Sequence, residues 1–402
     1  MDFICERSQQ SICLAGVTYQ PHELAARQNE LEQQLAQQCA HAPDEVVAQL
    51  RFELELLVFL RTWFDDTPEL EVKTSGSTGT PKVMSVSKER MMNSARLTLE
   101  FLQLKRGDRA LLCMPLEYIA GKMVVVRALV GGLDLQVVAP CGHPLQKVAA
   151  DLDFAAMIPL QVYNSLQKPG ERARLAAVKQ LIIGGGAIDA ALEQELRSFP
   201  HKVWSTYGMT ETLSHIALRR LNGPEASEFY QPFAQVKLSL SPEDTLVIEA
   251  PQVSAQTLVT NDIVVFNDQG QFRIKGRKDN VINSGGIKLQ IEELEAQLKA
   301  LQPQWDFLIS SQPHPKFGQV VVLLLTKRSL PSELGDLSDL NELSEHSSVR
   351  AFLQTQLCAL TRFARPKRYL LVDELPRTGT NKPDRAAAQR LAQRAQAELF
   401  TA

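Results

Sequence analysis

The chain has 402 residues, 44% hydrophobic and 22% charged, which excludes wholesale disorder and, at about 150 residues per domain, points to two or three domains or subdomains. Forty-three basic and 46 acidic side chains leave a net charge of −3, so electrostatics gives no case for nucleic acid or an anionic membrane as the main partner. The N-terminus has no signal pattern, no apolar run nears the roughly 18 residues of a membrane span, and the cysteines at 5, 13, 39, 113, 141 and 358 form no CxxC pair; free thiols in the cytoplasm, not a zinc site, are the expectation.

Residues 22–40 and a segment capped by Asp44 have leucines and valines at helical spacing and are expected to cover a sheet. Glu71–Lys73 leads into a Gly/Ser/Thr-rich stretch. Val83–Val86 follows as a strand, and Ser87 is positioned to cap a helix bearing Met91, Ala95, Leu99 and Leu102 on one face. Arg109–Met114, Asp134–Val138, Ala155–Ile158 and Gln180–Ile183 then read as short buried strands. Helical patterns lie near 121–130, 162–167 and 189–199. Such alternation predicts a mostly parallel α/β sheet, whose ligands bind at the carboxyl ends of the strands.

After Leu221 the pattern changes. Val236–Leu240, Thr245–Glu249, Ile263–Phe266 and Gln271–Ile274 read as antiparallel strands, and the linker-like GRKDN at 276–280 marks a boundary near Asp279. Beyond it come a short helix with Ile291, Leu294, Leu298 and Leu301, a buried strand at 320–325, and a Ser- and acid-rich insertion at 327–350.

Five motifs carry chemistry. Thr74-Ser75-Gly76-Ser77-Thr78-Gly79-Thr80-Pro81-Lys82 packs five hydroxyls, two glycines and a lysine into nine residues. Glycines admit backbone N–H groups to an anion, and the hydroxyls and lysine add donors and charge: this is phosphate-binding chemistry, although not the GxxxxGK[ST] spacing. Leu181–Ala187 is a strand running into Gly184, Gly185 and Gly186, which suits a nucleotide shelf and tight strand-to-helix packing equally. In Tyr207-Gly208-Met209-Thr210-Glu211, the aromatic can stack on a base, Thr210 can donate to a phosphate, and Glu211 can help to hold Mg²⁺. Asp262 together with Arg277 can hold two ribose hydroxyls, although a surface ion pair uses the same residues. Lys382, in a glycine-containing loop near the C-terminus, can bring charge to a site when a small domain closes.

In this order the motifs TSGSTGTPK at 74–82, GGGA at 184–187, YGMTET at 207–212, Asp262, GRKDNVINSGGIKLQIEELE at 276–295 and Lys382 resemble the adenylate-forming superfamily of acyl-CoA synthetases, luciferases and adenylation domains. The resemblance implies an α/β fold. A large N-terminal domain at 1–278 would combine parallel α/β sheet layers with a small β subdomain, and a small mobile α+β lid would occupy 279–402. It implies ATP, Mg²⁺ and CoA, a small carboxylic acid substrate, and an acyl-adenylate intermediate. By motif match, Thr74–Lys82 would grip the β- and γ-phosphates. Gly184–Gly186, Tyr207 and Gly208 would frame adenine, Thr210 would meet the α-phosphate, and Glu211 would ligate Mg²⁺. Asp262 and Arg277 would hold ribose, Asp279 would be the hinge, and Lys382 would stabilise the adenylation transition state.

The phosphate motif starts early for this superfamily, so the resemblance implies an abbreviated N-terminal subdomain, and Tyr118 stands where a histidine is usual. PLEYIAGKMVVVRAL at 115–129 resembles the short o-succinylbenzoate–CoA ligases of menaquinone synthesis. Tyr118, Gly121 and Lys122 would then line the acyl pocket. Lys122 is the expected partner of the second carboxylate, and Arg127 is the reserve candidate, since five residues on it points elsewhere on the helix. Lys278, Lys288 and the basic cluster at 362–368 are candidates for a CoA face. The alternatives are a ligase for another acid, delivering to a carrier protein instead of CoA, and a non-catalytic nucleotide-binding protein; intact Glu211, Asp279 and Lys382 argue against the latter.

Overall fold

The computed structural model describes residues 3–39, 41–73, 83–148, 151–186, 188–331, 347–378 and 382–399. The phosphate motif at 74–82, Ala187 of the GGGA motif and most of the 327–350 insertion lie outside them.

Strands β1 (Ile12–Leu14) and β2 (Val17–Tyr19) are joined by Ala15 and Gly16, both at positive φ, the backbone a two-residue hairpin requires. Helices α1 (Leu24–Gln38) and α2 (Asp44–Phe64) follow, then an antiparallel pair, β3 (Glu69–Lys73) and β4 (Val83–Ser87), whose connection is the phosphate motif. The Ser87 hydroxyl accepts from the Arg90 N–H, capping α3 (Lys88–Leu102). An alternating series comes next: β5 (Arg109–Leu112), α4 (Ile119–Gly131), β6 (Asp134–Val137), β7 (Phe154–Met157), α5 (Pro159–Leu166), α6 (Pro169–Ala177), β8 (Gln180–Ile183), α7 (Ala190–Leu196) and β9 (Lys202–Gly208). β10 (His215–Arg220) and β11 (Gln231–Pro232) complete a nine-stranded sheet in the order β11-β10-β9-β8-β7-β5-β6-β1-β2.

β1 and β5 to β9 run parallel; β2 and β10 pair antiparallel with β1 and β9, and β11 pairs antiparallel with β10 at the outer edge. The chain leaves β5 for β6 on one side and returns to β7 on the other, which creates a switch point. The segments following β5, β7, β8 and β9 all emerge at the same carboxyl edge. α2 lies on the sheet as expected: the Gln49 side chain donates to the Val137 carbonyl and accepts from the Ala139 N–H, each at 2.8–2.9 Å.

A second, antiparallel sheet holds β12 (Lys237–Leu240), β13 (Thr245–Glu249), β14 (Leu258–Phe266) and β15 (Phe272–Arg277). The third contains β16 (Val281–Ser284), β17 (Ile287–Gln290), β18 (Phe307–His314), β19 (Gly318–Thr326) and β20 (Arg368–Val372). α8 (Ile291–Leu301), α9 (Ser347–Gln356) and α10 (Arg385–Leu399) accompany the third sheet. Two hydrophobic clusters draw only on residues 12–272, and two others only on residues 282–392. Among the described residues no helix is long and apolar enough to cross a membrane.

Candidate active site

The register of the second sheet builds the centre of the site. Asp262 on β14 stands directly opposite Arg277 on β15, and Arg277 Nη1 donates to Asp262 Oδ1 at 3.1 Å. The other carboxylate oxygen accepts from the Tyr207 hydroxyl at 2.6 Å, which ties β9 of the central sheet to β14. Arg277 Nη2 reaches Asp279 Oδ2 at 3.0 Å, and the Asn261 amide donates to that same oxygen at 3.0 Å. Burial works against the Arg277 charge, but Asp279 and Asp262 outweigh it and raise its pKa. Burial, and then the Asp262 charge, hold the Tyr207 hydroxyl well above its ordinary pKa, so it remains a donor.

The Tyr207 ring is 7% exposed, packed edge-on to Tyr230 and Phe272 at centroid distances of 5.9 and 5.0 Å. Aromatic side chains distant in sequence enclose much of the ring, and its hydroxyl is held by Asp262. Gly184 sits where β8 meets β9, and a Cβ there would lie 2.3 Å from Thr206 Oγ1. Close strand packing therefore requires this glycine whatever else it does. Gly185, at φ +79°, makes the turn that follows, and Gly186 comes next. Gly208 ends β9.

Thr210 and Glu211 lie in a single 3-10 turn, Thr210–Thr212, just beyond β9. Glu211 is exposed and has no ion pair or side-chain hydrogen bond among the described residues, so both its oxygens face outward uncommitted. That suits Mg²⁺, which takes one or two carboxylates and shares the rest of its shell with phosphates and water. Lys382 lies between β20 and α10, half-buried, with its pKa lowered by burial. Its backbone is held to Thr378, but its ammonium has no bond to Tyr207, Glu211, Asp262 or Arg277.

The acyl-pocket candidates separate. Gly121 is buried, and a Cβ there would lie 2.3 Å from the Pro115 carbonyl, so it lets α4 pack on its own leading loop. Tyr118 is half-buried at the N-cap of α4 and bridges to Lys73. Lys122 Nζ donates to the Glu71 carbonyl at 2.8 Å, beside the Lys73–Glu117 pair at 2.7 Å. Its pKa is lowered by burial and then by Lys73. Lys122 thus faces the strand that leads into the phosphate motif.

Arg127 is the cation turned into the interior. It is 2% exposed, and its Nη2 donates to Ser214 Oγ at 2.5 Å while Nε has no partner among the described residues. No carboxylate pairs with it among the described residues, and burial alone pushes its pKa down to about 9. His215 beside it is kept neutral by burial and by the Arg127 charge; its ring nitrogens meet Ser214 Oγ at 3.3 Å and Thr98 Oγ1 at 3.0 Å. A buried guanidinium without a counter-ion costs several kcal/mol unless a ligand supplies one.

The fold is that of the adenylate-forming enzymes, and a carboxylate–arginine pair tied to the end of β9, an acidic side chain with no partner among the described residues in the turn after it, and a buried cation on α4 suit an AMP-forming acid–thiol ligase. Residues 73–244 match the family model described as AMP-binding enzyme. The chain is 25% identical over 354 residues to 2-succinylbenzoate–CoA ligase of Oceanobacillus iheyensis, covering 80% of this chain and 69% of that protein. Among solved structures, it resembles an acyl-CoA synthetase (AMP-forming)/AMP-acid ligase II-like protein from Dyadobacter fermentans, with TM-score 0.56, 29% identity, and coverage of 87% of this chain and 99% of that one. The o-succinylbenzoate–CoA synthetase of Bacillus subtilis, solved with ATP and magnesium ion, shares the fold at TM-score 0.59 and 18% identity, with 79% of this chain and 68% of that one covered.

Proposed function

We propose that the protein joins o-succinylbenzoate to CoA at the expense of ATP. The succinyl carboxylate attacks the α-phosphorus, pyrophosphate leaves, and the CoA sulfur then attacks the acyl carbonyl and expels AMP. The observation that carries this reading is Arg127. Only the succinyl carboxylate reacts, so the ring carboxylate enters the site as an anion. Burying it alone is costly, and a guanidinium already buried without a carboxylate partner is the complement it needs. α4 follows the β5 exit and Ser214 follows the Thr210–Thr212 turn, so the cation sits beside the same carboxyl edge as the phosphate-side residues.

In this reading Thr74, Ser75, Gly76, Ser77, Thr78, Gly79 and Lys82 hold the β- and γ-phosphates. Gly184–Gly186 and Gly208 bound the adenine, Asp262 and Arg277 take the ribose hydroxyls, and Thr210 donates to the α-phosphate. Glu211 would hold Mg²⁺, which neutralises phosphate charge when bound. Lys382 adds positive charge where the pentacovalent phosphorus gathers negative charge, stabilising that state more than the ground state. Because the Lys382 ammonium has no bond to Tyr207, Glu211, Asp262 or Arg277, the lid would turn about Asp279 to bring it into the site.

The test compares o-succinylbenzoate with 4-oxo-4-phenylbutanoate, which keeps the succinyl arm and lacks the ring carboxylate. A hydrogen bond to a charged group contributes about 1.5–3 kcal/mol, so kcat/KM should favour o-succinylbenzoate by about tenfold to hundredfold. Equal kcat/KM for the two acids would contradict the assignment.

A further inference from the structure

We infer that Asn261 is a positioning residue for the two-step reaction: its amide fixes the Asp279 carboxylate and, through Arg277, couples the ribose-side pair to the connection between the two groups of cores. The inference rests on the reading of Asp279 as the hinge. Asp279 lies in a single 3-10 turn, Lys278–Asn280, between β15 and β16, where the hydrophobic clusters of 12–272 end and those of 282–392 begin.

One oxygen of Asp279 accepts two bonds, from Asn261 Nδ2 at 3.0 Å and from Arg277 Nη2 at 3.0 Å. Arg277 spends its other amino group on Asp262 at 3.1 Å. Arg277 is thus shared between the carboxylate of the nucleotide site and the carboxylate of the connection, whereas Asn261 serves the connection alone. On the far side Asn280 donates to Glu292, and Gln290 Nε2 donates to the Arg277 carbonyl at 2.8 Å and to Glu292 at 2.7 Å. The turn is therefore strapped to β14 by Asn261 and to the start of α8 by Glu292.

A change of φ or ψ at Asp279 swings its carboxylate away from Asn261 and Arg277 together. A ribose that engages Asp262 and Arg277 competes for the guanidinium and weakens its hold on Asp279. Asn261 then remains as the tie, and as a neutral amide it holds Asp279 without adding charge beside Asp262. Asp279 is 55% exposed, so solvent screens the contact, and its loss should change the balance of lid states by about two- to fivefold.

The experiment measures both half-reactions in single turnover, acid-dependent pyrophosphate release and transfer of preformed acyl-adenylate to CoA, in wild type, Asn261→Ala, Asn261→Asp and Asp279→Pro. The expected result is a two- to fivefold change in the ratio of the two rate constants in Asn261→Ala, and a larger one in Asn261→Asp, where a like charge faces Asp279. Hydrogen exchange over residues 276–284, which needs no substrate, should accelerate in both. An unchanged ratio in the Asn261 variants alongside a shifted ratio in Asp279→Pro would overturn the inference and leave the hinge standing. Equal loss of both half-reactions in the Asn261 variants would reduce Asn261 to a structural residue and also overturn it. An unchanged ratio in Asp279→Pro would remove the hinge and the inference with it.

Discussion

Replacing Arg127 by methionine should strengthen the free protein while disabling it for its acid. The guanidinium is fully buried, with one oxygen partner and an unpartnered Nε. A fall of its pKa from 12.5 to about 9 corresponds, at about 1.4 kcal/mol per pH unit, to roughly 5 kcal/mol of electrostatic penalty at neutral pH. Local relaxation and the lost Ser214 bond reduce the gain, so we expect Arg127→Met to stabilise by about 1–4 kcal/mol, in line with replacements of buried charges by apolar groups. The assay is a pair of urea titrations, followed by KM for o-succinylbenzoate and for ATP. KM for the acid should rise at least tenfold, with that for ATP little changed. The sign with pH follows from linkage. The folded pKa lies below the unfolded one, so the unfolded state binds more protons, and wild type gains stability as pH rises through about 9. The advantage of Arg127→Met should therefore shrink above pH 9. A variant that is less stable at pH 7 and keeps its KM for the acid would refute the reasoning.

Lys382→Ala should slow adenylation by orders of magnitude and largely spare transfer from a supplied acyl-adenylate; equal losses measured in the two half-reactions would point to a folding defect. Gly184→Ala should destabilise by about 1–3 kcal/mol in urea titration, because the new Cβ falls 2.3 Å from Thr206 Oγ1, and Thr206→Ala should restore much of the loss. The Asp65 carboxyl is held down to about 2 by its bonds to Lys88 and Thr67, so its contribution is present above about pH 4 and is lost as pH falls through 2. Acid titration of Asp65→Asn should accordingly show a constant stability deficit above pH 5 that closes towards pH 2, and a deficit independent of pH would contradict this.

The parallel series was legible because each central strand is a short apolar run bounded by polar residues and glycines; Gln180–Ile183 is a strand in both readings. The Ser87 cap was legible for the same local reason. β16 and β17 were hidden inside the motif at 276–295: Gly285 and Gly286, at φ +60° and +84°, form the turn of a hairpin whose strands are too short to show an apolar alternation. The burial of Arg127 was not legible because α4 is buried on nearly all sides from Met123 to Gly131, so its apolar pattern has no phase to show which polar residue faces inward. The enclosure of the Tyr207 ring depends on Tyr230 and Phe272, and no local pattern places those beside β9. The Asp262–Arg277 pair was suggested by residue type, whereas its geometry depends on the register of β14 and β15.

The central claim is that this site converts o-succinylbenzoate to its CoA thioester through an adenylate. Incubation of the purified protein with ATP, Mg²⁺, CoA and o-succinylbenzoate, with products resolved by chromatography and mass spectrometry, tests it directly. The account predicts AMP, pyrophosphate and o-succinylbenzoyl-CoA in equal amounts, with acid-dependent pyrophosphate release that persists for a turnover when CoA is omitted. Formation of ADP, or no pyrophosphate with this acid while another carboxylic acid supports its release, would contradict it.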